Sequence, residues 1–416
     1  MVILAGAGQG GQGGTQQVRS PAPDSVVVPE PSALAIQYHR SGNVLWAVET
    51  GLGMIITAAL LFSGISARMR SLSQRAGRRW FLTVLLYAVL FTVLVAALTF
   101  PLSYYAGYLR QHHYGLSNQS LGAWAGDWAK GVALSGFGLA AMLWLPYLLL
   151  RRSPRRWWLY TGLASIPLTT LLFVITPVWV DPLFNEYEPM EDKVLESRIL
   201  ALSQRAGIGG SRVYQVDKSS DTKLVNAYVT GVGATKRIVF WDTLLEKLED
   251  EQILFVTAHE MGHFVLRNTL AIIIATAILV TTSLYAVHRT AGGLIARFSQ
   301  RFGFDDISDV ASFPLLLLLG NVASFLLAPL VLGFSRQQEH EADRFALEIT
   351  RDNHAAASTF VVLQQENLAV PRPGRLYVLW RSSHPPLGER VSFANRYRPW
   401  ERGQPLRYDH LFRVME

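Results

Sequence analysis

The stretch His259-Glu260-Met261-Gly262-His263 concentrates more chemistry than any other part of this sequence. On a helix, residues four apart lie one turn above the other on one face, so both imidazoles can reach a single divalent ion. Glu260 falls on the adjoining strip, placed to take a proton from an attacking water and return it to a leaving amine. The apolar helical setting strengthens this reading, because histidines and a glutamate there are costly unless paired or bound to metal. The chain has no cysteine, which excludes disulfides, thiolate metal sites and cysteine nucleophiles. Any metal must be held by His and carboxylate.

A catalytic zinc site takes a third protein ligand and keeps its fourth position for water. Glu339-His340-Glu341-Ala342-Asp343 offers one, in a helical context continued by Phe345, Ala346 and Ile349. Glu339 and Asp343 share a face, whereas Glu341 points away. Glu339 is the expected ligand, and Asp343 the expected acceptor that orients a metal-bound imidazole. Two imidazoles and a carboxylate favour one Zn²⁺ per chain, although the spacing leaves other divalent ions open.

The elements that must position these residues are mostly membrane helices. Half of the 416 residues are apolar and 17% are charged, and a span of about 20 apolar residues crosses a bilayer. Six such spans are expected, at 44–64, 80–102, 132–150, 157–180, 269–287 and 314–334, several bounded by Trp at the headgroup level. The net charge of +7 reflects arginines in short loops, at 67–79 and 151–157, which read as topology signals and not as a nucleic-acid site.

Residues 1–43 are rich in Gly, Gln, Ser and Pro and read as a disordered leader. Residues 44–180 form a first membrane region of four spans, and 269–334 supply two more. The polar insert 181–268 and tail 335–416 are separated by two spans, emerge on the same face and can build one small α+β protease domain. Within the insert, a helix is expected over 191–207 and strands over 212–216, 225–230 and 237–241, the last two joined by a loop with Gly231 and Gly233. Thr243 and Glu246 read as a capping box, and Asp250 and Glu251 as the acidic first turn of the helix that carries His259. Glu49, early in the first span, reads as a solvated carboxylate near the interface.

Several pieces in order resemble the type I CAAX prenyl protease family, membrane-embedded zinc endopeptidases of the gluzincin class. They are Tyr114 to Asn118, Pro182 to Asn185, Asn226-Ala227-Tyr228, 237–245, the His259 helix, Ser335-Arg336 with Glu339 to Asp343, and Ser383 to Pro386. Together they span roughly Pro101 to Arg390. The resemblance implies a ring of helices around a water-filled chamber with zinc at its wall, and Glu339 as third ligand. It further implies that Asn226 and Tyr228 lie on an edge strand that pairs with substrate backbone. His384 would donate to the oxyanion, with Arg390 a further substrate contact nearby.

Eukaryotic members of that family have seven spans, one more than this sequence offers near its N-terminus. The arginine loops place the insert outside by the positive-inside rule, whereas the resemblance implies a cytoplasmic opening. The membrane is that of a bacterial cell or, in a eukaryote, the endoplasmic reticulum. The expected function is hydrolysis of peptide bonds near the C-terminus of a lipidated, possibly prenylated, or membrane-associated substrate, by a monomer and with no nucleic-acid partner. Broad quality-control proteolysis is the alternative enzyme reading, and an inactive membrane scaffold the alternative of another class.

Overall fold

The structure, a computed structural model, describes residues 25–230 and 236–413. Its first helix, α1 (Ala33–Phe62), is capped by Ser32, whose hydroxyl accepts from the Ala35 amide at 3.1 Å. Residues 33–43, expected in the leader, are therefore helical. The preceding segment is also tied down, since Val26 and the Asn395 side chain exchange two hydrogen bonds and Gln364 donates to Pro29 O. Residues 1–24 lie outside the described residues.

There follow α2 (Ile65–Gly77) and α3 (Trp80–Tyr104), which runs through a π-helical turn into α4 (Arg110–His113). Then come α5 (Leu121–Arg152) and α6 (Trp157–Ile175). The insert contributes β1 (Tyr187–Pro189), α7 (Lys193–Arg205), β2 (Arg212–Val216), β3 (Ala227–Thr230), β4 (Arg237–Trp241), α8 (Asp242–Lys247) and α9 (Asp250–Val265). Two long helices, α10 (Asn268–Phe302) and α11 (Phe313–Thr350), precede α12 (Asn353–Glu366), α13 (Arg375–Arg381) and α14 (Leu387–Arg396).

Among the described residues, six helical segments are long and apolar enough to cross a membrane, as the hydropathy of the sequence requires. They outrun the expected spans because a helix need not stop where its lipid contact stops. The α11 helix continues some sixteen residues past Phe334 and carries Glu339 and Asp343 out of the apolar segment without a break. Likewise α1 begins early enough that Glu49 lies well inside it, exposed along a cavity wall. The helices close a ring: α1 packs on α11, α11 on α10, α10 on α6, α6 on α5, α5 on α3, and α3 back on α1. Along these helices Val93, Phe137, Leu163, Ile278, Leu326 and Leu330 are exposed, as apolar side chains in contact with lipid would be.

At the arginine-rich end, Arg70 pairs with Asp309, and two buried hydroxyl contacts lock the loop between α10 and α11. Ser66, which Tyr87 meets at 2.7 Å, donates to Ala311 O at 2.6 Å, and Tyr147 meets Ser312 at 2.9 Å. Each is a polar side chain satisfied inside the protein, as a low-dielectric setting demands.

The four strands lie in the order β1-β2-β4-β3, with β2 and β4 parallel and the outer pairs antiparallel. The short strand β1 carried no period long enough to be read in the sequence. Glycines 231 and 233 lie outside the described residues. The capping box expected at Thr243 is absent; that hydroxyl donates instead to Leu224 O at 2.7 Å, tying α8 to the approach of β3. The capping box belongs to Glu249 and Gln252 at the start of α9, where it fixes the entry of the helix carrying His259.

Helix α9 is sandwiched between the sheet and α11 in a core that includes Phe240, Phe255, Met261, Phe345 and Phe360. Its closest approach is at Gly262, where an added Cβ would stand 3.3 Å from the Ala342 backbone and 3.2 Å from the Phe345 ring. Small residues at such a crossing let two backbones meet. Gly262→Val should therefore push α9 off α11 and cost about 1–3 kcal/mol by overpacking. Thermal unfolding in detergent should show a lower midpoint, accompanied by weaker zinc retention; an unchanged midpoint would refute the close crossing.

Candidate metal centre

Helices α9 and α11 cross so that His259, His263 and Glu339 point at one spot. One ligand atom from each lies within 4.8 Å of the others. The Nε2 atoms of the two histidines are 3.2 Å apart, Glu339 Oε2 is 3.3 Å from that of His259, and Oε1 is 3.4 Å from that of His263. Tetrahedral donors around zinc, each about 2.0–2.1 Å from the ion, sit about 3.3–3.4 Å from one another. The observed separations match that edge length. Moreover, Glu339 Oε2 is buried and completes no hydrogen bond, which is costly unless a cation is its partner. The donor set therefore fits a zinc ion.

The supporting contacts run outward from each imidazole. His259 Nδ1 lies 2.9 Å from Asp343 Oδ1, and Asp343 is gripped by Arg390, with Nε to Oδ2 at 2.8 Å and Nη2 to Oδ1 at 2.6 Å. Both members of this pair are buried, so it neutralises two charges that could not otherwise leave water. Burial favours the neutral His259 ring, but contact with Asp343 and Glu339 outweighs it and raises the pKa. A cation must displace that proton, so its uptake weakens as pH falls.

His263 Nδ1 faces the Asn268 side-chain amide at 2.8 Å. A histidine that offers Nε2 to a metal carries its proton on Nδ1 and needs an acceptor there. Half a turn of the amide brings Oδ1, otherwise buried without a partner, into that role. Sequence reasoning missed Asn268; its signal was a polar residue at the mouth of an apolar span. It also missed the salt bridge from Arg390 to Asp343, which no spacing could reveal.

Glu260 is partly buried beside the cluster and makes no hydrogen bond or ion pair with the described residues. Burial raises its pKa, which strengthens the carboxylate as an acceptor for a proton from an attacking water. His384 projects from the loop between α13 and α14 with Nε2 3.2 Å from Glu339 Oε2, while Nδ1 contacts Ser383 Oγ at 2.9 Å. Desolvation lowers its pKa, and a neutral ring whose Nδ1 accepts from Ser383 carries its proton on Nε2, on the side of the cluster. Arg336 holds this loop to α11 by donating to Val378 O and Ser382 O.

Asn226 and Tyr228 lie at the start of β3, which forms one edge of the sheet. Asn226 lines a cavity of about 620 Å³ together with His384 and Arg390. Tyr228 turns its hydroxyl to that of Tyr187 at 2.9 Å. Glu341 is turned away, held by Arg344 and Tyr408.

Residues 24–186 match the CAAX prenyl protease N-terminal region, a domain of five membrane helices, and residues 189–398 match peptidase family M48. The chain belongs to peptidase family M48. It is 35% identical over 90% of its length, and 88% of the relative's, to a Bacillus subtilis protein called uncharacterized metalloprotease YhfN. It is 32% identical to the CAAX prenyl protease 1 homolog of Dictyostelium discoideum, covering 72% of this chain and 70% of that one. The crystal structure of S. mikatae Ste24p superposes with a TM-score of 0.73, covering 86% of this chain and 87% of that chain at 23% identity, which shows the shared fold.

As an M48 member, the chain is an integral-membrane, zinc-dependent metalloendopeptidase. The N-terminal region of this M48 chain holds four long apolar helices among the described residues, with the short α2 between the first two. Asn268→Ala should lower zinc affinity about 10- to 100-fold by freeing the His263 ring. Competition with a chromophoric chelator measures this, and an unchanged affinity would remove Asn268 from the centre.

Proposed function

We propose that this M48 protein is a membrane-embedded zinc endopeptidase of the CAAX prenyl protease type, cleaving near the C-terminus of lipidated or membrane-associated peptides. The observation that carries the reading is the convergence of His259, His263 and Glu339 with Glu260 beside them, at the junction of the membrane helices and the sheet. The centre is complete within one chain, which supports one zinc ion per chain and a monomer. Insert 181–268 and tail 335–416 act as the protease unit on the membrane regions 44–180 and 269–334.

In this reading, His259, His263 and Glu339 hold zinc, which supplies Lewis-acid polarisation of water and of the peptide carbonyl. Glu260 removes a proton from the attacking water and carries it to the departing amine. His384 donates from Nε2 to the oxygen that gains negative charge. Asp343 accepts from His259 Nδ1–H, and Arg390, held in its salt bridge, fixes Asp343 in that pose. The β3 edge around Asn226 and Tyr228 pairs with the extended substrate backbone. Burial keeps the Tyr228 hydroxyl protonated, so it remains a donor or acceptor beside Tyr187 and does not add charge.

Glu260→Gln should retain about one zinc per chain while cleavage of a farnesylated CAAX peptide falls by at least roughly 10³-fold, since the proton carrier is gone. Metal analysis and peptide hydrolysis on purified protein in detergent test both halves. Equal cleavage of the farnesylated peptide and its unprenylated twin by wild type would favour broad quality control over prenyl processing. No cleavage of either would reopen the scaffold reading. His384→Ala should lower kcat about 10²- to 10³-fold with little change in zinc content; an effect confined to KM would make it a binding residue instead.

A further inference from the structure

The cavity beside the metal centre has a second charged feature that the proteolytic mechanism does not use. Arg110, at the end of the α3–α4 helix, and Arg381, at the end of α13, approach each other across Gly42 of α1. A methyl placed on Gly42 would stand 3.2 Å from Arg110 Nη2 and 3.8 Å from Arg381 Nη2. The two cations thus converge to within about 7 Å, a repulsion that an anion between them would relieve.

No carboxylate among the described residues forms a salt bridge with either. Arg110 is buried and uses Nε on Ser41 and one Nη2 proton on the Tyr38 carbonyl, while stacked 3.8 Å over the Tyr38 ring. Arg381 donates from Nη1 to Asn43 and lies over the rings of Tyr377 and Trp46. Neutral partners fix both guanidiniums, and neither is closed by an ion pair among the described residues. Glu49 lines the same cavity without reaching either one in an ion pair. Burial and the charge of Arg110 lower the pKa of Arg381, against the opposing pull of Tyr377 and Glu49, in keeping with two guanidiniums brought close together.

The same cavity reaches Asn226, His384 and Arg390, so the arginine pair shares a continuous space with His384, whose Nε2 lies 3.2 Å from Glu339 Oε2. Arg381 precedes His384 by three residues, so their Cα atoms are at most about 11 Å apart. Three extended substrate residues beyond a scissile bond span about 10 Å. We infer that Arg110 and Arg381 form a subsite for the free C-terminal carboxylate of the substrate, which sets cleavage a few residues from the chain end. This rests on the C-terminal-processing reading above. Planar guanidiniums suit a carboxylate, and Gly42 leaves the room that a side chain there would fill.

The test uses one farnesylated CAAX peptide made with a free C-terminal acid and with a C-terminal amide. Binding is read by fluorescence anisotropy on the full-length Glu260→Gln protein in detergent, so it does not depend on cleavage. The acid should bind roughly 10- to 100-fold more tightly than the amide, the scale of a charge-assisted hydrogen bond. Adding Arg381→Gln should bring the ratio close to one, Arg381→Lys should keep part of it, and Gly42→Ala should reduce it with both charges in place. In the otherwise wild-type enzyme the same preference should fall on KM. Equal affinity for acid and amide, or no binding of either, overturns the subsite. Cleavage of both forms at equal rates by wild type would overturn it too while leaving the endopeptidase reading standing.

Discussion

Everything in this site depends on one helix crossing. Where α9 meets α11, an apolar core packs around two imidazoles and two carboxylates, with Gly262 letting the backbones meet. Ionisable groups in such a place must be paired or liganded, because desolvation of a lone charge costs several kcal/mol. Asp343 has Arg390, while His259, His263 and Glu339 turn their remaining donor atoms toward each other at ligand-to-ligand spacing. The metal site is the point at which that interior balance is closed by a cation.

The membrane helices form part of the same device. The α10 helix starts with Asn268 against His263, and α11 runs from the far side of the ring to end in Glu339 and Asp343. Any shift of these spans moves the centre directly. At the opposite end, the Arg70 pairing with Asp309 and the buried Ser66 and Tyr147 hydroxyls hold the loop between the two helices. A rigid far end and a satisfied near end leave the long helices little freedom to tilt, which suits a catalytic constellation that tolerates only small displacements.

Substrate faces a different wall. The β3 edge offers backbone groups, His384 is held over the centre by a loop that Arg336 ties down, and the arginine pair at Gly42 sits farther along the cavity. Backbone pairing is indifferent to side-chain identity, so selectivity must come from features that read the ends or modifications of a peptide. Two guanidiniums without an ion-pair partner lie within that cavity, and the subsite proposed for them would read a chain terminus.

The sequence by itself determined the class of this protein. Apolar runs must be covered by lipid, and the His259 motif on a helix puts two imidazoles on one face whatever surrounds it. The facing of Glu339 and Asp343 followed from the same 3.6-residue period. Tertiary structure alone decided which groups meet between helices distant in sequence. Arg390 on Asp343, Asn268 against His263 and Arg110 beside Arg381 are products of three-dimensional packing, and no local period encodes them. Local signals also lost where packing was stronger: Thr243 gave its hydroxyl to Leu224 rather than to a helix cap, and α1 began before its apolar run because Ser32 caps it and Tyr38, His39 and Gly42 line the cavity. Hydrophobic periodicity reports what a segment must hide; only the folded chain fixes what each buried polar group finds there.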